Sequence, residues 1–138
     1  MRAHPSNFRA WHKPTQRMFP VYGFNKDFVF EETLDGIHTG ETTPANRADC
    51  VVMQSTNLLD KNGKEIYEGD IVRAAFMYHG KASDQKFYAV IIYNEHIGQY
   101  QISYNSVGGA ASDEIYFKYE VEIIGNLAEN PELMESSK

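Results

Sequence analysis

"NLLDKNGKEIYEGDIVRAAF", residues 57–76, packs two reverse-turn signals and two strand starts into twenty residues. The first turn is "DKNGK" (60–64): the Asp60 carboxylate can accept the backbone N–H two residues on, at Asn62, and Gly63 supplies a positive φ without steric cost. The second is "EGD" (68–70), where Gly69 again permits φ > 0 and Asp70 caps the turn before the apolar strand "IVRAAF". Between them "EIY", with Ile66 and Tyr67, reads as a brief extended link. Turn chemistry of this kind sets the register of short strands.

The acids in this segment invite two other readings. An EF-hand loop needs Asp or Asn at positions 1, 3 and 5, Gly at 6 and Glu at 12. Counted from Asp60, position 5 is Lys64, position 6 is Glu65 and position 12 is Ile71, so the calcium reading fails. Acid–base work by Glu65, Glu68 and Asp70 would require burial that drives paired carboxylate pKa values apart. Turn acids are usually exposed, and local capping explains Asp70 better.

Strand-like runs continue on both sides: "FRAW" (8–11), "RMFPVYGF" (17–24), "KDFVFEETL" (26–34), "CVVMQS" (50–55), "KFYAVIIYN" (86–94), "QYQISY" (99–104) and "EIYFKYEVEIIGN" (114–126). "CVVMQS" reads as a buried strand. Stretches 35–49 and 105–113 are small, polar and rich in Gly, and read as loop excursions. Asn130–Pro131 signals a short C-terminal helix with Asn as its cap. The pattern is mainly β, a small SH3-like or barrel-like core with extra strands, within one domain spanning 1–138.

The 138 residues, 42% hydrophobic and 13% aromatic, are enough for a packed core. A single cysteine, Cys50, cannot form an internal disulfide, which suits a reducing cytoplasm. No signal-peptide or membrane-spanning run is present, so the expectation is a cytoplasmic protein without a membrane partner. Net charge is −6, unevenly spread. Arg2, Arg9, Lys13, Arg17 and Lys26 make residues 1–26 +5, while residues 113–138 carry −5. Ends of opposite sign can steer subunits into register.

Catalytic signatures are sparse. Cys50 has no basic neighbour cluster in sequence and reads as a structural thiol. His4, His12, His38, His79 and His96 lie far apart, without the spacing of a metal site. "GGAAS" (108–112) lacks the Walker pattern for phosphate. Arg9, Trp11, Lys13 and Arg17 form the one basic, aromatic stretch that suits an interaction surface, although an acidic chain disfavours nucleic acid.

"MQSTNLLDKNGKEIYEGDIV" (53–72), with "FRAW" before it and "VEIIGNLAENPELM" (121–134) after it, resembles the YopX-like family of phage and prophage proteins. The resemblance departs at Ser55 and Asn57, where an aromatic and a glycine belong, and at His12, where an acid usually follows the tryptophan. It implies a largely β domain with a barrel-like centre, and an oligomer, and it implies no activity. The expectation is a non-enzymatic protein of a bacterial host cytoplasm, without cofactor or metal. It binds itself or a host or phage protein, and nucleic acid through the basic N-terminal strand is the alternative.

Overall fold

The computed structural model describes residues 7–32, 44–106, 109–114 and 119–135. The strands are β1 (Phe8–His12), β2 (Arg17–Phe24), β3 (Phe28–Glu31), β4 (Ala45–Asn46), β5 (Cys50–Leu59), β6 (Glu65–Tyr67) and β7 (Asp70–Tyr78). They continue with β8 (Lys81–Asn94), β9 (Gln99–Ser106), β10 (Gly109–Glu114) and β11 (Tyr119–Asn126). A 3-10 turn, Arg47–Asp49, leads into β5, and one short helix, α1 (Glu132–Glu135), ends the described chain. Two compact units, Met1–Ser55 and Thr56–Lys138, divide the chain, and β5 runs from the first into the second.

In the first unit the strands lie in the order β4-β3-β2-β1-β5. β1 pairs antiparallel with β2 and β5, setting Ala10 opposite both Phe19 and Val52. Side chains alternate between faces along a strand, so one face gathers Ala10, Phe19, Val21 and Val29, all buried, with Phe8, Ala45, Cys50 and Val52 packed beside them. "CVVMQS" proves only partly buried: Met53 is enclosed, while Val51, two residues away on the same face, is exposed. Cover here changes along the strand, which the apolar run alone does not show.

In the second unit the final residues of β5 pair with β6, and a five-stranded antiparallel sheet runs β10-β9-β8-β7-β11. "EIY", read as a link, is the strand β6, with Ile66 and Tyr67 both buried. Val72, Ala74, Ala89, Ile91, Ile102 and Val121 form the core with Ile66. Full burial of each Ile or Val contributes about 1.5–3 kcal/mol. At one end four rings pack together: Phe76 against Tyr119 at 4.9 Å, and Phe87 against Tyr104 at 4.7 Å and Tyr119 at 5.9 Å between centroids. Such ring pairs add to the area they bury.

The mainly β class and the short C-terminal helix agree with the sequence. Among the described residues, however, the sheets are open and no barrel closes: β10 and β11 end opposite sides of their sheet. Alternation has the same period in an open sheet and a closed one, so closure leaves no trace in sequence. Of the stretch 35–49, residues 35–43 lie outside the described residues, while β4 and the 3-10 turn occupy 45–49. Of 105–113, Asn105 and Ser106 finish β9, residues 107–108 lie outside the described residues, and Gly109–Asp113 belong to β10. The loop reading gives way there because backbone pairing needs no side-chain signature.

Asn130 precedes α1, and its Oδ1 accepts the Asn126 amide at 3.3 Å while its backbone carbonyl accepts the Leu133 amide at 3.1 Å. Gly125 owes its place to this contact. A Cβ there would stand 2.6 Å from Asn130 Oδ1 and 2.9 Å from Leu133 Cδ1.

Candidate interaction edge

The turns of the opening segment position a strand edge. Asp60 is only 5% exposed, and Oδ1 accepts the amides of Asn62 and Lys64, both at 2.9 Å. Gly63 has φ +83° and donates its N–H to the Asp60 carbonyl at 3.0 Å. The other carboxylate oxygen, Oδ2, accepts the Ile123 amide at 3.0 Å, while Lys61 donates its N–H to the Val121 carbonyl at 2.9 Å. These two bonds occupy the outward-facing backbone in the middle of β11.

The second turn is equally enclosed. Gly69 has φ +88°, donates its N–H to the Ile91 carbonyl at 2.8 Å and accepts the Leu127 amide at 2.9 Å. Asp70 is fully buried, and its Oδ2 accepts the Tyr67 amide at 2.8 Å. The expectation that turn acids are exposed therefore fails for Asp60 and Asp70. Both carboxylates replace the water that buried backbone donors would otherwise lack.

Four strands end the sheets among the described residues: β4, β6, β10 and β11. A bare edge invites pairing with another chain, and proteins blunt edges by keeping them short or covering them. β4 has two residues and β6 three. β11 is covered by the Asp60 turn. β10 differs from all three: six residues, "GAASDE", hold six consecutive partners on β9, from Gly109↔Ser106 to Glu114↔Gln101. No bulge interrupts that register, whereas β11 carries a shift between Ile123 and Gly125. β10 contains neither Pro nor Lys, and its charges, Asp113 and Glu114, fall at one end. Sequence reading missed this edge because Gly and Ala carry no strand periodicity.

The four residues of the basic N-terminal stretch do not converge. Alternation along β1 sets Arg9 and Trp11 on the face opposite His12, and His12 pairs with Arg17 across to β2. Lys13 follows the strand and donates its N–H to the Asp49 carbonyl at 2.9 Å. Arg17 makes two bonds to Glu31, at 2.5 Å and 3.0 Å, with its guanidinium 5.1 Å from the Phe19 ring centroid. The Glu31 hydrogen bond raises the Arg17 pKa further above its ordinary value. A cleft of about 240 Å³ opens here, lined by His12, Thr15, Arg17, Phe19, Glu31 and Ala45, with His12 Nδ1 and Thr15 Oγ1 sharing a bond of 2.6 Å. It presents a matched ion pair, a poor anchor for a phosphate backbone.

Burial, aided by Asp49, raises the Cys50 thiol pKa and keeps the neutral form to higher pH. His4 and His38 lie outside the described residues, and among the described residues no group of three His, Cys, Asp or Glu side chains is placed to hold a metal ion. No helix among the described residues is long and apolar enough to cross a membrane.

A family model described as YopX protein matches residues 7–135 and so runs through both units. The crystal structure of protein EF1440 from Enterococcus faecalis aligns with a TM-score of 0.56 at 23% identity, covering 93% of this chain and 96% of that one. The crystal structure of protein yopX from Bacillus subtilis aligns at 0.53 and 19% identity, covering 91% and 95%. Likeness at these identities speaks for the fold alone. No curated protein matches the chain.

Proposed function

This chain belongs to the YopX family, and from that premise we propose that it is a non-enzymatic binding and assembly module that takes an extended protein strand on the edge of β10. One observation carries the reading. Of the four sheet-ending strands among the described residues, β10 alone is both longer than three residues and free of a register shift, with six consecutive partners on β9. Strand addition to such an edge draws affinity from main-chain hydrogen bonds.

Proline substitution tests it. Backbone N–H groups of an antiparallel strand alternate between the two sides, so one of Ala111→Pro and Ser112→Pro removes an outward donor and spares the β9 ladder. That variant keeps the wild-type melting temperature and loses the self-association or protein partner that the wild type retains. Association unchanged in both variants, or a wild type that is monomeric and retains no partner, overturns the proposal.

A further inference from the structure

We infer that Asn62, in the turn that Asp60 closes, is a site of spontaneous deamidation, and that the reaction turns a hydrogen-bond donor to Glu122 into a carboxylate facing it. The inference is independent of the β10 edge.

The chemistry needs two neighbours in sequence. Asparagine is one of the thermolabile side chains. Once the Gly63 backbone nitrogen gives its proton to water or hydroxide, it can attack Asn62 Cγ. The new N–Cγ bond closes a succinimide ring, and the side-chain nitrogen takes up a proton and leaves as ammonia. Water then opens the ring at either carbonyl. Breaking the new N–Cγ bond gives aspartate. Breaking the original peptide bond gives isoaspartate, whose main chain runs through the side-chain carbons. Water is the only co-reactant. A side chain on the second residue obstructs the approach of its nitrogen, and among the asparagines of this chain only Asn62 precedes a glycine.

The structure leaves the pair within reach of solvent. Asn62 and Gly63 are both exposed, and a Cβ built on Gly63 would meet nothing within 4 Å. The Asn62 side-chain nitrogen donates to Glu122 Oε2 at 3.5 Å, a length at the limit of hydrogen bonding and a weak tether. One contact opposes the attack. The Gly63 N–H is donated to the Asp60 carbonyl at 3.0 Å, and the Asp60 carboxylate holds the turn through the amides of Asn62 and Lys64. The nitrogen reacts only when that turn opens, so Asp60 sets the pace.

The product bears on β11. Glu122 accepts a hydrogen bond from Arg73 on β7 as well as from Asn62. Aspartate at 62 sets a second carboxylate against it, and like charges so close repel. Lys61 beside them already pairs with Glu120 at 3.9 Å. Isoaspartate goes further, adding a methylene to the main chain of the turn whose Asp60 and Lys61 bond Ile123 and Val121.

The test incubates the folded full chain at mildly alkaline pH and follows each asparagine by peptide mapping, with mass spectrometry that separates aspartate from isoaspartate. Asn62 should convert at least tenfold faster than Asn57, Asn94 or Asn126, and to both products. Asp60→Ala, which loosens the turn, should speed conversion severalfold. Gly63→Ala should slow it at least tenfold. Since a loosened turn speeds the reaction, a slower Gly63→Ala can come only from the obstructed nitrogen. In an NMR titration Asn62→Asp should shift the Glu122 pKa upward. Conversion at Asn62 no faster than at the other asparagines, or undiminished in Gly63→Ala, overturns the site. Aspartate without isoaspartate overturns the cyclic route. An Asp60→Ala rate equal to wild type overturns control by the turn, and an unmoved Glu122 overturns the coupling to β11.

Discussion

Asp60 and Ile123 stand 63 residues apart in sequence, and the Asp60 Oδ2 accepts the Ile123 amide at 3.0 Å. The same carboxylate closes its own turn through Asn62 and Lys64. One side chain thus fixes a local turn and covers a distant strand edge. Asp60→Ala leaves three backbone donors without their acceptor, and a loss of about 3 kcal/mol is expected from urea unfolding. Asp60→Asn keeps one acceptor oxygen and should lose less. Equal midpoints for the two variants would contradict the bridging role.

Gly69 and Glu68 separate backbone need from side-chain chemistry. At φ +88°, with its N–H bonded to Ile91 on β8 and its carbonyl to Leu127 just past β11, Gly69 holds a conformation that a β-branched residue adopts only under strain. Gly69→Val should cost about 2 kcal/mol or more, and Glu68→Ala less than about 0.5 kcal/mol. Thermal melts of the two variants check this. Equal melting temperatures would refute the turn assignment.

Asn57 occupies a position where the family resemblance calls for glycine, and its φ is +66°. Asn tolerates the left-handed region better than other non-glycine residues, which explains why it can stand there. Asn57→Gly should leave the melting temperature unchanged or slightly raised. Asn57→Val should lower it by an amount equivalent to about 1–2 kcal/mol. A neutral valine would mean that β5 relaxes out of this conformation at little cost.

Glu122 gives a pH signature. Hydrogen bonds from Arg73 and then Asn62 lower its pKa, with the charges of Arg73 and Lys61 adding to the effect. A depressed carboxylate pKa contributes stability above the free value of about 4.3, and that contribution disappears as pH falls through the folded value. Replacing Glu122 by Gln should therefore flatten the acid limb of a melting curve below about pH 4.5 and change little at neutral pH. The pair is at the surface, so added salt should shrink the difference. An acid limb identical to the wild type would show that the pair contributes nothing.

Legibility in the sequence followed distance along the chain. The turn at Asp60–Lys64 and the φ > 0 positions Gly63 and Gly69 are written within five residues each, because side chain and backbone meet locally there. The mainly β class was legible from the recurrence of short apolar and aromatic runs along the chain. The Asp60–Ile123 bridge and the Arg17–Glu31 pair were not, since each depends on which strands become neighbours. The β10 edge was hidden for a different reason. Gly109, Ala110 and Ala111 offer no alternation, and their strand exists because β9 supplies a backbone ladder beside them. Arg9 and Trp11 share one face of β1, and the same alternation sets Arg17, opposite His12, on the other.

The most direct test is absolute mass by light scattering after gel filtration, from about 1 µM to about 500 µM, at low and high salt. The account predicts a mass above that of the 15.8 kDa chain at the upper concentrations, held at high salt, with a return toward 15.8 kDa in the proline variant that blocks the outward edge. A mass of 15.8 kDa throughout would contradict self-assembly on β10. An assembly that dissolves in high salt would transfer the contact to the oppositely charged ends of the chain.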